Sequence, residues 1–243
     1  MKALLLTSPG ELTYTDIDAP TPGPGEVRVR IAACGICGSD VHGFTGSTGR
    51  RIPPLVMGHE AAGTVDAVGA GVDDLAIGTR VALDSTVFCG QCSHCLAGRE
   101  NLCTERQVLG VSCGPYRRYG CFAEQVVVPR RVAYSIPDSL DFIAASLLEP
   151  LTIALHAVHL AGVGPETRSA VVVGAGPIGL ACVASLRGLR RAENRRDRSR
   201  RGAARSGPFA RRDRDDRRRG GRRREGGPFR YVDARHGRRR RRL

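Results

Sequence analysis

Residues 89–103 read CGQCSHCLAGRENLC and set Cys89, Cys92, Cys95 and Cys103 in a C-x2-C-x2-C-x7-C spacing. Four thiolates complete the tetrahedron of a zinc ion and leave no position for a reactant, so this spacing predicts a structural metal site. A second constellation joins CGICGSDVH (34–42) to MGHEAAGTVDAVGAG (57–71). Here a cysteine, His59 and Glu60 stand in glycine-rich turns, where backbone freedom lets side chains converge. Three protein ligands plus one open position are what a catalytic zinc requires. A third motif is GAGPIG, in which Gly174, Gly176 and Gly179 fit G-x-G-x-x-G. Alone it is a weak signal, but it follows an apolar strand and opens a helix, so helix N-terminal amides would face a dinucleotide pyrophosphate.

These residues need elements to hold them. Residues 1–135 read as short strands between Gly and Pro turns. In EVRVRIAA (26–33), Val27, Val29 and Ile31 face one way and Glu26, Arg28 and Arg30 the other. From Leu140 the apolar residues take helical spacing, interrupted once at Pro150, and SAVVVGAGPIGLACVASLRGL then reads as the opening of a βαβ unit.

The whole chain of 243 residues has a net charge of +14, but the charge is not spread evenly. Residues 1–189 hold 14 of the 38 basic and 17 of the 24 acidic side chains; residues 190–243 hold the other 24, all arginine, and 7 acids. The first part is therefore an ordinary, slightly acidic globular sequence, and the basicity belongs to the tail. The tail is nearly devoid of aliphatic residues, cannot build a core and is expected to be disordered. MKALLLTSPGEL has too short an apolar stretch for a signal peptide, and Ala170–Leu186 is below the roughly 20 residues of a membrane helix. A cytoplasmic chain without a membrane partner is expected, in which nine cysteines point to metal rather than disulfides.

CGICGSD, GHEAAGTVDAVGAG, the four-cysteine segment and VVVGAGPIG stand in the order seen in zinc-containing medium-chain alcohol dehydrogenases. With LLEPLTIALHAV the chain most resembles the polyol branch, the sorbitol, galactitol-phosphate, butanediol and threonine dehydrogenases, over residues 1 to about 189. The resemblance implies a mixed β and α/β fold: a GroES-like β-barrel catalytic domain over 1–155, the start of a Rossmann NAD(P)-binding domain over 156–189, and the Arg-rich tail over 190–243. It implies two Zn²⁺ ions, one structural on the four cysteines and one catalytic on Cys37, His59, Glu60 and Glu149, the carboxylates binding directly or through water. Asp40 then orients the zinc-bound His59, and Ser39 and His42 relay the proton of a secondary alcohol or polyol whose hydride passes to NAD(P). For Asp40 and His42 the alternative, polar turn residues at a surface, stays open. Cys34 matches no ligand, and Cys113, Cys121 and Cys182 read as small apolar fillers.

The chain departs from the family where a second strand should end in an acid for the cofactor ribose, roughly 20 residues beyond the glycine turn. There it reads AENRRDRSRR, with Asp197 nearby and no strand before it. Read from the second base of each codon, Arg190 to Arg198 are compatible with a helix end, a strand of two valines and a terminal acid. The tail is thus expected to be the product of a shifted frame, and the recovered acid favours NAD over NADP. A chain broken off there is expected to hold zinc, to be doubtful as a dehydrogenase and not to form the family's homo-oligomer. Two other readings remain: an inactive truncated remnant, or a nonspecific polyanion binder through its arginines. With too few aromatic residues for stacking, no specific nucleic-acid partner is expected.

Overall fold

The structure, a computed structural model, describes residues 1–164, 166–189 and the backbone of 230–233. The chain divides into two compact units after Glu149.

In the first unit, β1 (Lys2–Ser8) and β2 (Glu11–Asp16) form a hairpin, and β4 (Leu55–Val56) pairs with the other edge of β1. The main sheet draws on β3 (Glu26–Gly35), β5 (Glu60–Val68), β6 (Arg80–Leu83), β11 (Gln125–Pro129) and β12 (Ala133–Ser135), in the antiparallel order β11-β3-β5-β6-β12. The alternation of β3 places Val27 and Val29 in the core with Val65, Val81, Val128 and Val132, all fully buried. Each such valine contributes about 1.5–3 kcal/mol. Ile31 packs at the margin of this core. On the opposite face Asp66 of β5 accepts from Arg28 Nε at 2.8 Å and from Gln125 Nε2 at 2.8 Å, tying three neighbouring strands with polar groups.

The functional residues sit at the ends of these strands. α1 (Gly38–Phe44) follows β3 directly. β7 (Thr86–Val87) pairs with β8 (Gln107–Val108), closing a lobe that holds α2 (Ser93–Leu96) and all four cysteines of the first motif. β9 (Val111–Cys113) and β10 (Tyr116–Arg118) form a separate hairpin. α3 (Phe142–Ser146) is capped by Asp141, whose Oδ1 accepts from Ala144 N at 2.7 Å. α4 (Leu148–Leu160) then starts afresh with Pro150 in its first turn, where no backbone N–H is needed. That is why the helical pattern of the sequence breaks at Pro150.

In the second unit β13 (Ala170–Val173) leads through the glycine turn into α5 (177–189). Ala154 and Val158 of α4 and Cys182 of α5 are fully buried there, with Val172, Ile178 and Leu186 packed around them. A short strand, β14 (Arg230–Asp233), pairs in parallel with β13 and sets Asp233 opposite Val173. These four residues lie within the stretch read as tail. The rest of that stretch, including Asp197 and the shifted segment from Arg190, lies outside the described residues. No described helix is long and apolar enough to cross a membrane.

Candidate metal centres and nucleotide turn

β3 and β5 run antiparallel, and their register brings Gly35, the last residue of β3, opposite Glu60, the first of β5. Two residues beyond Gly35 is Cys37; one before Glu60 is His59. Ligands more than 20 positions apart in sequence are thereby delivered to one point by strand pairing. Donor atoms of Cys37, His59 and Glu60 all lie within 4.8 Å of one another. Gly35 is required here, because the Glu60 carboxylate lies across the space that a Cβ would fill.

Cys37 also starts α1. Its Sγ accepts from Ser39 N at 3.5 Å, and its own N–H donates to Asp40 Oδ2 at 3.1 Å, a capping box built from a cysteine and an aspartate. Asp40 is thus fixed inward, 2% exposed, with Oδ1 3.4 Å from His59 Nδ1. Neither of those two atoms has a hydrogen-bond partner, so at this distance the contact is ionic. Nδ1 faces Asp40, which leaves Nε2 for a metal.

Burial and neighbouring charges shift each group of the cluster. The His59 imidazole beside Cys37 holds its thiol below the ordinary range, against the opposing effect of burial. Burial works against the charged form of His59, but Asp40 and Cys37 outweigh it and hold its pKa up at about 10. Burial likewise opposes ionisation of Asp40, yet His59, the Cys37 N–H and Arg51 keep its carboxyl below the usual range. For Glu60 burial dominates, aided by the charge of Glu149, and its pKa is raised. The donor set of one thiolate, one imidazole and one carboxylate fits zinc.

Of the other expected residues, Glu149 is close enough to Glu60 to raise its pKa, and its Oε1 accepts from Ser85 Oγ at 2.7 Å. Ser39 is half-buried and His42 exposed, three positions apart on α1 and so on one side of it. Sequence reasoning missed Arg51. It is 9% exposed, and its Nη2 reaches Ser39 Oγ at 3.4 Å and Asp40 Oδ1 at 3.7 Å. The only signal for it was a basic pair, Arg50 and Arg51, before two prolines.

In the lobe the Sγ atoms of Cys89, Cys92, Cys95 and Cys103 lie within 4.8 Å of one another. Backbone N–H groups converge on them: Gln91 and Cys92 donate to Cys89 Sγ, at 3.4 and 3.3 Å, and Cys89 donates to Cys103 Sγ at 3.3 Å. Backbone donors from Cys95 and Thr104 hold the Cys92 thiol well below its ordinary range. Burial, by contrast, pushes the Cys95 thiol up to about 12, and four sulfur donors with no acid among them fit a closed zinc site. None of the nine cysteines is in a disulfide.

In the second unit Gly174 has a φ of +102°, which only glycine adopts freely, and Gly179 packs against the Gly174 carbonyl with no room for a Cβ. Gly176 has open space where its side chain would be, and its carbonyl accepts from Leu180 N at 2.9 Å as α5 begins. The turn is thus open to a pyrophosphate at Gly176 and tight where helix meets strand.

Residues 23–138 match the alcohol dehydrogenase GroES-like domain. The chain is 41% identical to L-idonate 5-dehydrogenase of Vitis vinifera over 69% of its own length and 45% of that protein's. Among solved structures it resembles galactitol-1-phosphate dehydrogenase of Escherichia coli, with 35% identity and a TM-score of 0.71, covering 78% of this chain and 53% of that one. It also resembles the rspB alcohol dehydrogenase of Escherichia coli CFT073 complexed with NADH, with 41% identity and a TM-score of 0.70 over 77% and 53%. The chain belongs to the zinc medium-chain polyol dehydrogenase family. Its fold is that of the family's GroES-like domain followed by part of a Rossmann domain. It spans about half the length of the curated relatives that it matches.

Proposed function

We propose that the Cys37–His59–Glu60 cluster is the centre of a zinc-dependent oxidoreductase that moves hydride between a secondary alcohol or polyol and NAD(P). The convergence of those three ligands beside Ser39 and Asp40 carries the reading. Zinc, when bound there, would polarise a substrate hydroxyl and lower its pKa toward neutrality. The chain's own residues supply the rest. Asp40 fixes the imidazole of His59, and Glu60 and Glu149 contribute carboxylates at the centre. Ser39 would accept the substrate proton, and His42, which is exposed on the same side of α1, would release it to water. Gly174, Gly176 and Gly179 receive the pyrophosphate.

NAD is favoured over NADP. Asp233 stands at the C-terminal end of a strand parallel to β13, in register with the residue before Gly174. An acid at that place suits a free ribose hydroxyl and disfavours a 2′-phosphate. The four cysteines hold a second, structural zinc.

The test is to supply polyols, sugar acids and sugar phosphates with NAD and follow absorbance of the reduced nicotinamide. Activity that disappears on chelation and returns with zinc supports the reading. A second reading is that the chain holds zinc and transfers no hydride, because the described residues of the second unit offer one parallel strand pair for the cofactor. Two bound zinc ions with no NAD reduction on any substrate would select it. Sedimentation of the chain is expected to show a monomer.

A further inference from the structure

Arg51 is the one buried charge near the centre to which neither the family motifs nor the proposed reaction gives a task. Its backbone is anchored by Ser112 on both sides: Ser112 N donates to Arg50 O, and Ile52 N donates to Ser112 O, each at 3.2 Å. Its aliphatic stem lies against Gly43 of α1, where any larger side chain would overlap it. Held between these, the guanidinium reaches two residues of the first turn of α1. Nη2 donates to Ser39 Oγ at 3.4 Å and stands 3.7 Å from Asp40 Oδ1, while Nη1 donates to Arg50 O at 3.2 Å. Asp40 Oδ1 in turn is the atom facing His59 Nδ1.

We infer that Arg51 is a positioning residue of the metal centre: its planar fork fixes Asp40 against the His59 imidazole and Ser39 beside the open coordination position. The inference rests on the proposed zinc centre. A guanidinium suits the task because one rigid group presents several N–H donors in fixed directions. Both partners are reached from Nη2 while Nη1 is held by the Arg50 carbonyl, and a lysine ammonium would bring the charge without that second anchor. Arg51 acts through Asp40 and Ser39 and touches no expected ligand of the metal itself. Groups that orient a metal-bound imidazole are commonly worth about 10–100-fold in metal affinity.

The experiment compares the full chain with R51M, R51K, D40N and the R51M/D40N double variant. Each is loaded with Zn²⁺ against a competing chelator and, separately, with Co²⁺ for its visible spectrum. The four-cysteine ion serves as the internal control for folding, since the lobe lies outside the contacts of Arg51. The expected result is that every variant keeps the lobe ion. R51M loses about 10–100-fold in affinity for the second ion, with a changed Co²⁺ spectrum, and R51K recovers part of that loss. In the D40N background R51M should cost less than threefold, because the intermediary is already gone. Full second-ion affinity and an unchanged spectrum in R51M, with two ions in the parent, overturn the role of Arg51 alone. A parent chain that takes only the lobe ion overturns the zinc-centre reading and this inference with it. If R51M also loses the lobe ion, R51K decides: parental second-ion affinity and spectrum in R51K overturn a role for the fork.

Discussion

Removing the metal from the four-cysteine lobe should unfold the lobe and leave the barrel standing. Residues 89–103 are 15 positions, and fixing their backbone costs about 15 kcal/mol at the low end of about 1 kcal/mol per residue. Little in the lobe offsets that cost. Only Cys95 and Cys103 are buried there, while Leu96 is 77% and Leu102 49% exposed. Their apolar burial is worth roughly 1–2 kcal/mol. A structural zinc contributes about 10–16 kcal/mol at neutral pH, which is the size of the deficit. The barrel core draws no residue from 89–106, so its stability does not depend on the lobe. The perturbation is C103S or a strong chelator, and the assay is limited trypsinolysis at Arg99 and Arg106, both exposed at the surface of the lobe. In the metal-loaded chain both bonds should resist; after metal loss cleavage should quicken by at least about 100-fold, since even about 2.7 kcal/mol of lost protection suffices. Far-UV circular dichroism should change little. A stripped lobe as resistant as the loaded one would falsify the idea that metal, and not packing, shapes this segment.

Other outcomes follow from the same structure. Uptake of zinc at the Cys37–His59–Glu60 centre should weaken as pH falls from 9 to 7, by about 100-fold for one displaced proton, measured by chelator competition. The sign follows from His59: its metal-free pKa is raised from 6.5 to about 10, so throughout that range the ion must displace a proton from the imidazole. G35A should keep the fold and the lobe ion, because the group it meets is the movable end of Glu60, yet weaken the second ion about tenfold in elemental analysis across a chelator series. G63A should behave oppositely, for its Cβ would strike the Arg30 carbonyl of the paired strand. It is expected to lower stability by about 3 kcal/mol in urea unfolding, and a cost below about 0.5 kcal/mol would show that β3 and β5 can part locally.

The centre was legible in the sequence to the extent that spacing and strand pattern determine it. The four cysteines lie within one loop, so their convergence needs no tertiary information. A cysteine, His59 and Glu60 could be grouped because they stand in glycine-rich turns, and only the family resemblance singled out Cys37 from Cys34. Pro150 was read as an interruption, and it marks the first turn of a new helix. Arg51 could not be found this way. In STGRRIPP nothing separates the buried arginine from its neighbour Arg50, because burial is decided by Gly43, on a different element. The bond from Ser85 to Glu149 joins residues 64 apart, and neither has a local pattern that names the other. Strand β14 was missed because its Tyr231 and Val232 are too short an apolar run to stand out among arginines.

The pairing of Gly35 with Glu60 makes the ligand set indifferent to the length of chain that connects it. Everything from Thr45 to Gly49 is exposed turn and loop, and residues could be added or removed there while both strand ends, and Arg50 on its bond from Ser112, keep their places. A single residue inserted within β5 would instead turn every later side chain to the opposite face of the sheet. The connecting segment is therefore the part of the first unit free to diversify, and it starts just beyond His42. Variation in what approaches the metal can accumulate there without disturbing what holds it.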